Sequence, residues 1–440
     1  MARLLSIGLA LLLIGLAGCG VSSTEPPPAQ ARLLPDSDSA GNGSPAPVRA
    51  AVPEVPLLVP GVDPQGASLW IWGRYGNSAT LRGRLSREIP ERLPWVGADH
   101  IVAVASGLVQ SLALLDDGTV WTWRDPAPYN ALPTLVTPAP VPSAIDVIAI
   151  AAGDYHSLAL RSDGTVLTWG SNLHGQLGQG TRHIAEQPAA VPVLRGATAI
   201  AAGANHSLAL MDDGTVRAWG HGAQGKLGNG SVQISEVPVP VPGLDGVTAI
   251  AAGWAHSLAI TEDGAVWTWG RDLIQVHEGT SGVLPGPTRV EGLGGAIAVA
   301  AGWGHSLALL DDGQVWAWGF NDYGELGDGS TADPCIACGL EAPSLPRGEP
   351  RPVIGLDDVV AISAGEHHSL ALRSDRTVWA WGRNVFGEVG APGMPYAIQH
   401  SSPRKVVSLD GVTAIAAHGA HSLAILGSSD RRLPAPRFKP

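Results

Sequence analysis

The stretch Ala149-Ile150-Ala151-Ala152-Gly153-Asp154-Tyr155-His156-Ser157-Leu158-Ala159-Leu160-Arg161-Ser162-Asp163-Gly164-Thr165-Val166-Leu167-Thr168-Trp169-Gly170 decides how this chain is read, because its pattern returns along most of the 440 residues. Its histidine position falls at Gln110, His156, His206, His256, His305, His368 and His421, and its closing tryptophan at Trp72, Trp123, Trp169, Trp219, Trp269, Trp318 and Trp381. Successive histidine positions lie 46 to 63 residues apart, a period that marks solenoids, propellers or arrays. The order of the half-motifs selects among these. The repeats open with an orphan second half, Ala67 to Gly73, and close with an orphan first half, Val412 to Leu426. A linear array needs no such complement, whereas a ring completes its last blade with both termini and so hides its edges. The expected fold is all-β: a single seven-bladed β-propeller over residues 65–427, with the last blade closed by N- and C-terminal strands.

Within a unit, the apolar run before Gly and the His-Ser-Leu-Ala-Leu run are strand candidates. Asp-Gly at 117–118, 163–164, 213–214, 263–264 and 312–313 then turns the chain, since this pair tolerates positive φ. Asp375-Arg376 breaks the rule, so a different turn is expected there. The pairs Trp121/Trp123, Trp267/Trp269, Trp316/Trp318 and Trp379/Trp381 are two apart and face one side of a strand, which suits packing between blades.

This repeat, with Gly175-Gln176-Leu177-Gly178, Gly225-Lys226-Leu227-Gly228, Gly324-Glu325-Leu326-Gly327 and Gly387-Glu388-Val389-Gly390 following Trp-Gly, resembles that of the regulator of chromosome condensation family. The resemblance spans roughly residues 65 to 427; the first unit, with Gln110 and Trp123-Arg124, matches worst. It implies a seven-bladed propeller. Exported bacterial members that inhibit β-lactamases through one face imply an inhibitor-like binding role. The namesake's nucleotide exchange on a nuclear GTPase conflicts with the leader and the acidic charge described next.

With 27 Lys+Arg against 39 Asp+Glu, the net charge of −12 and the absence of a basic run argue against nucleic-acid partners. Arg3, the apolar run Leu4 to Leu16 and Leu16-Ala17-Gly18-Cys19 resemble a bacterial lipoprotein signal peptide over 1–18, with Cys19 as the lipidated mature N-terminus; an ordinary cleaved leader is the alternative. The run is too short to span a bilayer. Residues 19–64, rich in Pro, Ser, Ala and Gly, read as a flexible tether, and 428–440 as a tail. The expected location is the bacterial cell envelope, anchored by lipid at the periplasmic face or cell surface.

No catalytic, cofactor or metal site emerges. Adjacent His and Ser on a strand point to opposite faces, so the repeated His-Ser is expected to be structural, the imidazole bonded within its own blade. Histidines on separate blades cannot share a metal. Gly175-x-x-Gly178-x-Gly180 lacks the order of a phosphate loop and reads as turns. Cys335 and Cys338, in the insertion of the longest unit, read as a local disulfide rather than a redox or zinc site. The two residues before each His-Ser vary instead. Among them Tyr155, Asn205, Trp254, Trp303, Glu366 and His367 are candidate rim contacts for an unidentified protein or envelope ligand, with packing on neighbouring loops as the alternative. A monomeric binding propeller is expected. A hydrolase or lyase at the channel mouth, using Asp154, Glu366 and His367, is the competing reading.

Overall fold

A computed structural model describes residues 67–74, 86–93, 95, 100–124, 138–271, 273–274, 282–331, 347–391 and 398–427. Each repeat folds into one four-stranded antiparallel sheet, and there are seven of them. In the second blade the apolar segments Val147–Ala152, His156–Arg161 and Val166–Gly170 are the three inner strands, and Ala185–Ala190 is the outer one. The inner strands of blades 1 to 6 are Ile101–Ser106, Val147–Ala152, Ala197–Ala202, Val247–Ala252, Ala296–Ala301 and Val359–Ala364. Blade 7 joins Val412–His418 and His421–Leu426 from the C-terminal part to Ser68–Arg74 and Ser86–Arg92 from the N-terminal part. Pairing of Ser68 with Leu426 through Gly73 with His421 makes this seam a regular ladder, and the inner strands of blades 7 and 1 lie side by side. The propeller is thus a ring closed by both ends of its own repeat array.

The core is seven clusters, one between each pair of consecutive blades. Between blades 2 and 3, Ala149, Ala151, Leu158 and Leu160 meet Ile200, Ala209 and Trp219. Blades splay outward from the axis, so small residues suit the inner strands, where space is narrow, and tryptophan the third strand, where it widens. Trp267 and Trp269 pack on the same cluster, as their spacing requires.

Two readings of the repeat need correction. Arg376 has φ 68° and its N–H closes the turn onto Arg373 O at 2.9 Å, just as Gly164 (φ 78°) closes onto Arg161 O. The sixth turn is therefore the same as the others. Asp375 holds it there by accepting from Thr377 N–H at 3.0 Å and Thr377 Oγ1 at 2.6 Å, a frame that outweighs the 1–2 kcal/mol or so of left-handed strain in a non-glycine residue. The second correction concerns histidine, whose bonds run between blades rather than within one. His156 Nε2 lies 3.0 Å from Ser207 Oγ, His206 Nε2 2.9 Å from Ser257 Oγ, and His256 Nε2 2.9 Å from Ser306 Oγ. His305 meets Ser369, His368 meets Ser422, and His421 reaches Ser106 at 2.6 Å, crossing the seam. Gln110 replaces the missing histidine by donating to His156 O at 2.9 Å.

The leader, Cys19, the tether, the tail and the Cys335/Cys338 pair lie outside the described residues.

Candidate functional site

The varied positions sit in the loops joining first and second strands, on one face of the ring. In blades 1 to 6 a Gly precedes each pair, and it is obligatory: a Cβ on Gly203 would lie 2.3 Å from His206 Cε1 and 2.4 Å from Gly253 O. Backbone bonds then tie these tips to one another, Asp154 N–H to Ala204 O, Ala204 N–H to Gly253 O, Trp254 N–H to Gly302 O, Trp303 N–H to Glu366 O and Glu366 N–H to Gly419 O, at 2.8 to 3.3 Å. A rigid rim results.

A second varied position borders the first. The residue after Trp-Gly donates its N–H to the second tip residue of the same blade: His221 to Asn205 O, Arg271 to Ala255 O, Phe320 to Gly304 O, Arg383 to His367 O and Arg74 to Ala420 O, at 2.7 to 2.9 Å. A third, the second residue of Gly-x-Leu/Val-Gly, is buried on the next blade, where its carbonyl takes the tryptophan N–H: Trp219 to Gln176 O, Trp269 to Lys226 O, Trp381 to Glu325 O and Trp72 to Glu388 O, at 2.7 to 3.0 Å. Ser207 Oγ also donates to Gln176 O at 2.9 Å, so its only hydrogen is spent and His156 must carry its own hydrogen on Nε2.

These positions assemble an arc over blades 4 to 7. Trp254 and Trp303 have ring centroids 5.2 Å apart, Trp303 and His367 5.3 Å, and His367 and Tyr323 5.2 Å. Arg271 lies 4.5 Å over Phe320 and 5.4 Å from Trp303; Arg383 lies 5.6 Å from Phe386, and Arg74 covers Phe386 at 4.5 Å. Of the rim residues picked out by sequence, Trp254, Trp303 and His367 meet in this arc, and Glu366 joins it through Arg383 Nη2 at 3.1 Å. Tyr155 and Asn205 are not in contact with it; Tyr155 is exposed and Asn205 half-buried. The single-motif reading missed Arg74, Arg271, Phe320, Tyr323, Arg383 and Phe386. For Arg74, Arg271, Phe320 and Arg383 the signal was the variation directly after a constant Trp-Gly; Tyr323 and Phe386 lie three residues further on.

The polar rim residues are engaged. Asp154 Oδ1 and His418 Nε2 are 2.8 Å apart, linking blades 2 and 7; His367 Nδ1 lies 3.1 Å from Glu325 Oε1; Arg383 donates to Glu388 at 2.9 Å. Burial draws the Lys226 ammonium down to about 8 against the opposing field of Asp154, and Nζ donates to Trp254 O at 3.3 Å. Burial also lowers Arg271, partly offset by Asp322. Among the described residues, no three His, Cys, Asp or Glu side chains gather as a metal ion would require.

A seven-bladed ring sealed at its termini, with a rigid floor of constant motifs under a varied rim, defines the class. The chain belongs to the family of the RCC1-like domain, whose model matches residues 62–291 and 129–433. It is similar in structure to Prp20p from Saccharomyces cerevisiae, at a TM-score of 0.68 and 25% identity over 84% of this chain and 93% of that one. The same yeast protein bound to Kap60 gives 0.71 at 23% identity over 91% and 97%. Human WBSCR16 gives 0.66 at 23% over 83% and 100%. Among curated proteins, a probable E3 ubiquitin-protein ligase, HERC6 of Homo sapiens, is 40% identical over 80 residues, 17% of this chain and 8% of that protein. Alsin of Rattus norvegicus is 39% identical over 88 residues, 20% of this chain and 5% of that protein. The matches thus span under a tenth of either curated protein's length.

Proposed function

We propose that this chain is a binding propeller, not an enzyme, whose aromatic arc captures a protein or envelope ligand, and that a lipid on Cys19 holds it at a bacterial cell envelope. The observation that carries the reading is the arc itself: three of the six rim residues singled out by their variation pack ring on ring at tilted angles on a backbone-bonded rim, with Trp254 left 38% exposed. Rigid aromatics held at a surface are what binding hot spots are made of. Prp20p is described by its binding to Gsp1p and histones and was crystallised with Kap60, so a relative of this fold binds proteins. Catalysis is disfavoured because Asp154, Glu366 and His367 are each committed to His418, Arg383 and Glu325. The anchor is supported by Leu16-Ala17-Gly18-Cys19 alone.

Crosslinking and mass spectrometry in the native envelope tests the binding reading. The wild-type chain is expected to yield a partner crosslinked at the rim, lost in the Trp254→Ala/Trp303→Ala double variant with its melting temperature unchanged. A partner captured equally by that variant overturns the assignment of this face. Labelled palmitate incorporated by the wild-type chain and not by Cys19→Ser is the corresponding test of the anchor.

A further inference from the structure

The arc carries a charge pattern that its aromatic content does not explain. Arg383, at its middle, is neutralised by Glu388 at 2.9 Å and Glu366 at 3.1 Å. Arg271 and Arg74, at its two ends, are not: among the described residues their guanidinium groups have ring contacts but neither ion pairs nor hydrogen bonds. Asp322 acts on Arg271 through its field, without an ion pair. Both arginines are half-buried. Their ring contacts remove water without supplying negative charge, which leaves two partly desolvated cations waiting for an anion on a chain whose net charge is −12. The ring contacts between them run through Phe320, Trp303, His367, Tyr323 and Phe386, with Trp254 packed on Trp303 at the blade 4 end.

We propose that the arc receives an acidic loop of a protein partner, one carboxylate seating on Arg271, a second on Arg74, and apolar residues of the same loop lying on Trp254 and Trp303. The inference rests on the binding reading above and adds the partner's chemistry. Guanidinium planes match carboxylates in a bidentate manner. Separate cations divided by aromatic surface suit carboxylates divided by apolar side chains. A continuous polyanion would instead meet Glu366, which stands 36% exposed between the two arginines, and the acidic remainder of the chain.

The test is a yeast-displayed library of random cyclic loops sorted against the whole chain. An acidic protein ordinarily selects basic binders, so enrichment of loops with two Asp or Glu flanking apolar residues is the expected and discriminating result. Arg271→Gln and Arg74→Gln should each weaken a synthetic enriched loop by about tenfold or more, the worth of one charge-assisted contact. If either variant proves unstable, Arg271→Glu paired with a lysine-substituted loop restores binding when the contact is real. Enriched loops that are neutral or basic, yet depend on Trp254, overturn the acidic assignment and leave the binding reading standing. Loops indifferent to both Trp254 and Trp303 sink both. Arginine-dependent binding of heparin or inorganic phosphate tighter than that of any loop reassigns the arc to a polyanion and also overturns the proposal.

Discussion

At the residue scale the informative side chain is histidine. Among the described residues His156, His206, His256 and His368 keep a buried Nδ1 without a hydrogen-bond partner, and burial holds the imidazoles neutral: His156 falls to about 4, and His256, His305 and His421 to about 3. His206 and His368 are pushed well below the ordinary range by the same cause. In the unfolded chain each takes a proton below about 6.5. The folded state refuses it, so stability is complete above pH 6.5 and is lost as the pH falls towards 4 to 3, at up to about 1.4 kcal/mol per histidine per pH unit. Denaturant melts between pH 7 and 5 should therefore show a steep fall. His256→Gln, which copies Gln110 of the first blade, should flatten that slope by one proton's share; an unaltered slope would place the titration elsewhere. The repeated His-Ser was plain in the sequence. Its direction was not, because which serine a histidine reaches depends on how blades stack, and the next serine is about 50 residues away.

At the scale of elements, three of the four strands in each blade were legible as apolar runs between glycines. The fourth was not, since outer strands such as Ser235–Val241 (Ser-Glu-Val-Pro-Val-Pro-Val) and Arg347–Pro352 carry proline, which argues against a strand except at an edge. That is where they lie, and proline there also blocks edge-to-edge aggregation. The segment after the third strand staples blades 2, 3, 5 and 6 each to the next through the tryptophan N–H. Blade 4 lacks Gly-x-Leu-Gly, and among the described residues Trp318 Nε1 on blade 5 is buried without a hydrogen-bond partner. Trp219→Phe should therefore cost more than Trp318→Phe by about 1 to 2 kcal/mol, the value of a buried hydrogen bond, since both lose similar packing. Equal costs in chemical denaturation would remove the staple from the account.

For the molecule as a whole, closure should govern cooperativity. Removing residues up to Arg92 strips Trp72 from the cluster between blades 6 and 7 and bares the edge of His421–Leu426. The shortened chain is expected to lose its single cooperative transition in calorimetry and to self-associate in light scattering; a monomeric, cooperative melt would contradict the role of the seam. The split halves of the repeat made that seam readable in advance. By itself the sequence determined the strand repeats, their number and the ring, because period and motif order are local, additive signals that stacking must obey. Only the tertiary structure decided that histidines bridge blades, that Arg376 turns like glycine, and that Arg74, Arg271 and Arg383 join the tryptophans in one arc. Those outcomes depend on contacts between residues tens to hundreds apart, and such contacts exist only once neighbouring blades share a face.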